Sequence, residues 1–64
     1  MRVDKKKLEI AMANACMSTA DLQKAAGMPM PTLAGVISGK SIRPATAGKV
    51  AKALGVSVTE ILAD

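Results

Sequence analysis

One short grammar occurs three times in this chain and limits what the chain can become. Val3 and Leu8 flank Asp4, Met17 and Leu22 flank Ser18, and Val56 and Ile61 flank Ser57. In each case an N-cap side chain sits between apolar partners at the N′ and N4 positions, which pack across the first turn of a helix as a hydrophobic staple. Ser18 with Asp21, and Ser57 with Glu60, add capping boxes, and the acid at N3 also suits the positive end of the helix dipole. Helix starts are therefore predicted near residues 5, 19 and 58.

The stops are as legible as the starts. Gly27, Gly39 and Gly55 each follow an apolar or small-residue stretch, where a residue of positive φ ends a helix. Pro44 suits the first turn of another helix through "ATAGKVAKAL", with Val50, Ala53 and Leu54 on one face. The reading is all-α: five helices at about 4 to 16, 18 to 26, 29 to 38, 45 to 54 and 57 to 62, joined so tightly that they must form a compact bundle. The chain of 64 residues has no Phe, Tyr or Trp, so its core must be built from Leu, Ile, Val, Met and Ala, in small helices packed closely. Met12, Met17 and Met28 fall at core spacing, and Cys16 reads as a small core residue near the end of the first helix. Residues 1–64 are expected to make a single domain, near the lower limit for folding on one apolar core.

Composition narrows the chemistry. With one Cys and no His, neither a disulfide nor a zinc or iron-sulfur site is expected, and a reducing cytoplasm fits best. Glu9 and Asn14 interrupt the apolar stretch after the basic start, so it does not read as a signal peptide. The longest uncharged run, Ala25 to Gly39, is too short to span a bilayer and contains Pro29 and Pro31. An enzyme is the least favoured class, because no nucleophile and base pair is visible. No cofactor, metal or small-molecule ligand is implied. Missing aromatics also disfavour single-stranded nucleic acid, which binds by stacking.

The net charge is +4, and its distribution says more than its size. No acid lies between Leu22 and Thr59, while Lys24, Lys40, Arg43, Lys49 and Lys52 fall inside that window. Lys49 and Lys52 read chiefly as a solvated face. Lys5, Lys6 and Lys7 oppose the dipole of the first helix, a small cost that nearby phosphates would offset.

Residues 18 to 38 have the arrangement of a DNA-binding helix-turn-helix, with Leu22, Ala26, Met28, Leu33 and Val36 apolar where two helices crossing at a wide angle share a core. The chain resembles the Cro and phage-repressor (xenobiotic-response-element) family of helix-turn-helix regulators. The likeness rests on "STADLQKAAGMP", "TLAGVISGK", "IRP" and "VAKALGVSVTEIL", and covers roughly residues 8 to 62. It implies a lambda-repressor-like five-helix domain whose third helix enters the major groove, in a small bacterial or mobile-element repressor that works on double-stranded DNA as a weak homodimer. Carried over by position, Met30, Pro31, Thr32 and Gly35 stand where the family contacts bases, and Ala34 shares that face. Thr19, Ser38, Lys40, Ser41 and Arg43 stand at or beside its phosphate contacts, and Val58 and Leu62 are candidate dimer contacts.

The recognition stretch is unusual for such a role. Met28 to Ser38 holds no Arg, Lys, Gln, Asn, Asp or Glu, so the side chains that read bases through paired hydrogen bonds are missing. The face suits thymine methyl groups and DNA shape, with affinity resting on phosphates. The alternative is a protein-interaction module, antitoxin-like or an adaptor, that keeps the fold with little or no base readout.

Overall fold

The computed structural model describes residues 1–63. Four helices follow in order: α1 (Lys5–Asn14), α2 (Thr19–Ala26), α3 (Met30–Ile37) and α4 (Pro44–Leu54), then a single 3-10 turn at Val58–Glu60. Among the described residues no helix is long and apolar enough to cross a membrane.

The predicted starts are realised by the predicted atoms. The Asp4 carboxylate accepts from the Lys7 N–H at 2.9 Å. Ser18 and Asp21 form a reciprocal box, with the Asp21 N–H donating to Ser18 Oγ at 3.2 Å and the Ser18 N–H donating to Asp21 Oδ2 at 3.0 Å. Ser57 and Glu60 make the second box. Each staple closes on the core: Val3, Leu8, Leu22 and Ile61 are buried, and Met17 and Val56 pack against them half-buried. Gly27, Gly39 and Gly55 all adopt the positive φ expected of helix stops.

Three expectations need correction. The fifth helix is absent: a capping box marks where a helix begins but not how long it runs, and here it opens only three residues of 3-10 structure. Ile61 then takes φ −117°, and the chain leaves the turn to pair with the amino-terminal segment through an antiparallel Val3–Leu62 bridge. Helix α1 also stops earlier than predicted, because Cys16, not a glycine, takes the left-handed conformation at φ 56°. The Met17 N–H then donates back to the Met12 carbonyl at 3.0 Å, which closes the helix end. Cys16 is therefore exposed, not in the core. A non-glycine residue in this conformation costs on the order of 1 kcal/mol.

The core is wholly aliphatic, as the composition requires. Leu8, Leu22, Leu33, Val36, Val50 and Ile61 are fully buried, and no polar or charged residue is buried with them among the described residues. Helix α2 packs on α4, where Ala47 and Ala51 are buried and small enough to admit a close approach. Met28 is buried, while Met12 packs half-buried against the cluster. The arrangement leaves α3 lying on the core by Leu33 and Val36 alone among its fully buried residues, with its opposite face free.

Candidate nucleic-acid interface

Helix α3 has an apolar sequence but only one apolar side in use. With 3.6 residues per turn, burial of Leu33 and Val36 turns Pro31, Ala34, Gly35 and Ser38 to the centre of the outer face. Met30 and Thr32 stand at its two edges. Met30, Pro31, Thr32 and Ala34 are exposed, as the candidate base-contacting set requires, and Gly35 is half-buried. The middle of the face is a pyrrolidine ring, a methyl group and bare backbone. Such a surface is smooth and thin, and Thr32 carries the one side-chain hydroxyl of the face that has no intrahelical bond.

Ser38 is the exception. Its hydroxyl donates to the Gly35 carbonyl at 3.0 Å, and the Lys40 N–H donates to the same oxygen at 3.1 Å. These bonds close the carboxyl end of α3 around Gly39, so a phosphate contact from Ser38 would have to displace one of them. Lys40 folds back over the helix: a Cβ placed on Gly35 would lie 3.8 Å from Lys40 Cδ. The lysine's methylene stem thus covers the glycine while its ammonium stays exposed. Ser41 and Arg43 are exposed in the same loop, and Ile42 between them is half-buried against the core. Ile37 also packs against the core, so the apolar residue at that position serves packing.

The amino-terminal ends of α3 and α2 differ in chemistry. Pro29 caps α3 with no side-chain bond, and Pro31 occupies its first turn. Neither proline has an N–H, and the Thr32 N–H donates to the Pro29 carbonyl at 3.1 Å, which leaves Met30 as the free donor of that end. Helix α2 begins with exposed Thr19, and the N–H groups of Thr19 and Ala20 precede the first intrahelical bond. These can receive an anion. The Asp21 carboxylate nearby is turned back to Ser18 and held below its ordinary value of 3.8 by the Ser18 backbone N–H first, then by the Ser18 hydroxyl, with a smaller contribution from Lys24.

The remaining candidates lie elsewhere. Val58 and Leu62 are half-buried; Val58 packs against the core, and Leu62 shares the face of buried Val3 across the bridge, while its carbonyl accepts from Lys7 Nζ at 3.1 Å. Lys49 and Lys52 rim an open groove floored by Ala25, Ala26 and Ala53, made from the carboxyl-terminal halves of α2 and α4. Met1 and Ile42 exchange backbone hydrogen bonds at 2.7 and 3.1 Å, bringing Arg2 beside the cationic loop. A pairing between backbone groups forty-one positions apart leaves no side-chain signature to read.

Residues 7–64 match the pattern of the Cro/C1-type HTH DNA-binding domain. The chain belongs to this helix-turn-helix family. No curated protein matches it. In solved structures the Cro/C1-type fold seen here is similar to part of a mutant of hydroxyethylphosphonate dioxygenase, at TM-score 0.83 and 31% identity over 100% of this chain and 14% of that one. It is likewise similar to part of PhpD with cadmium atoms, at TM-score 0.82 and 31% identity, again over 100% of this chain and 14% of the other. The chain thus spans only a small fraction of the solved chains it resembles.

Proposed function

We propose that this DNA-binding domain is a small transcriptional regulator, acting as a repressor, that lays α3 in the major groove of double-stranded DNA and holds the phosphates with a basic rim. The observation that carries this reading is an exposed, uncharged α3 face with the Lys40 stem lying against it and the exposed Ser41 and Arg43 following directly in the chain. On this reading Thr19, Ser38, Lys40, Ser41 and Arg43 meet phosphates. Met30, Pro31, Thr32, Ala34 and Gly35 meet base edges, mostly through methyl and methylene groups. Phosphate contacts fix register while the grooves supply specificity, and a smooth helix reads thymine methyls and groove shape better than hydrogen-bond patterns. A second copy, meeting the first near Val58 and Leu62, adds specificity through half-site spacing. The protein then works in the cytoplasm on the nucleoid and has no catalytic step of its own.

The test is selection of bound duplexes from a random pool. A preferred motif should emerge, rich in A·T steps, and Met30→Ala or Thr32→Ala should change it. Unaltered motifs in both variants would mean that α3 does not read bases. Lys40→Ala with Arg43→Ala should weaken binding to every duplex roughly equally.

A second reading is favoured by one specific observation. The outer face of α3 lacks every side chain that makes bidentate base contacts, and 31%-identical counterparts occur within a dioxygenase. In that case the domain docks on protein, and the pool selection yields no motif.

A further inference from the structure

Residues 1–4 run as an extended segment between two partners. On one side, the Ile42 N–H donates to the Met1 carbonyl at 2.7 Å, and the Met1 nitrogen donates to the Ile42 carbonyl at 3.1 Å. On the other side, the Ala63 N–H donates to the Arg2 carbonyl at 3.0 Å and the Asp4 N–H to the Ile61 carbonyl at 2.8 Å, around the Val3–Leu62 bridge.

This pattern fixes where Arg2 points. Reciprocal bonds between two residues define an antiparallel hydrogen-bonded pair, so Arg2 and Ser41 stand opposite each other at the next position. Side chains alternate along such segments. Val3 is buried and Ile42 is half-buried, so both face inward, while Met1, in register with them, is exposed at the end of the segment. Arg2 and Ser41 then share the outer face, and Arg43, two residues beyond Ser41, joins them. All three are exposed.

We infer that Arg2 is a further phosphate contact of the DNA interface, held beside Ser41 and Arg43 by the pairing of Met1 with Ile42. The inference rests on the DNA-binding reading above. It extends the rim from the loop after α3 to a segment distant in sequence, because the backbone pairing holds the guanidinium's stem where a lone, unpaired terminus would leave it to wander. Guanidinium is well suited to the role, since its fork matches phosphate geometry.

The experiment measures affinity of the full chain for a random-sequence duplex as salt is raised, in the wild type, Arg2→Ala, Arg2→Lys and Arg43→Ala, with thermal unfolding to show that each variant folds. Arg2→Ala should bind roughly fivefold more weakly near 0.1 M salt and lower the slope of log affinity against log salt by about one per protomer, as loss of one phosphate contact requires. Arg2→Lys should keep the slope. If Arg2→Ala retains the wild-type affinity and slope while Arg43→Ala loses both, the assignment of Arg2 is wrong and the DNA-binding reading stands. If Arg43→Ala is silent as well, the phosphate rim fails as a whole and Arg2 with it.

Discussion

Helices α2 and α3 are both eight residues long and sit next to each other in the chain, yet they are held in opposite ways. α2 carries its own instructions: a reciprocal Ser18–Asp21 box at one end and a left-handed Gly27 at the other. α3 has no side-chain cap, a proline in its first turn and Gly35 inside it. Its helicity therefore depends on the core, through Leu33 and Val36, and on the Ser38 and Lys40 bonds to the Gly35 carbonyl. The difference lies in where each helix gets its stability. Helix α3 lacks local stabilisers and shows a smooth outer face, and its neighbour supplies the rigid frame.

The largest way to break this contrast is Leu33→Ala. With the side chain fully buried and little else ordering α3, urea denaturation should show a loss of about 3 kcal/mol, within the range of roughly 2 to 5 typical of such truncations. Ser18→Ala should cost less, about 1 kcal/mol, because it removes one cap from a helix that keeps its packing. Gly35→Ala sharpens the comparison by acting in the opposite direction. A Cβ there meets Lys40 Cδ at an ordinary 3.8 Å, so thermal unfolding should show a gain of up to about 1 kcal/mol. The same change should weaken duplex binding if the bare backbone approaches DNA.

Asp21 gives the smallest effect and a signed one. Its carboxyl is lowered from 3.8 by the Ser18 bonds, so the ionised form contributes stability above that value, which is lost as pH falls through the lower folded value. Thermal midpoints of the wild type and Asp21→Asn should therefore separate above about pH 4 and converge in stronger acid. A constant separation down to the lowest pH would show that the box does not use the charge.

Which parts were legible in sequence follows the same divide. α2 could be read to the residue, because its caps are side-chain chemistry at fixed offsets. The core set around Leu22, Leu33 and Val50 followed from periodicity. Cys16 could not be read, since nothing in its identity announces a left-handed backbone that glycine would adopt more readily. The shortened turn after Ser57 was hidden because its end is decided by pairing with residues 2–4, a tertiary event. In the candidate site, the outward face of α3 and the cations of the Lys40–Arg43 loop are legible in the residue pattern, whereas the closure of Ser38 onto Gly35 and the approach of Arg2 depend on geometry that spacing does not encode.

On the proposed reading a cationic rim supplies most of the affinity while α3 supplies shape. The most direct measurement is duplex affinity of the wild type between about 50 and 200 mM salt. Release of counterions from about four to six phosphates predicts a fall of roughly a hundredfold to a thousandfold. An affinity that barely changes across that range would contradict it and leave the α3 face as a surface for protein.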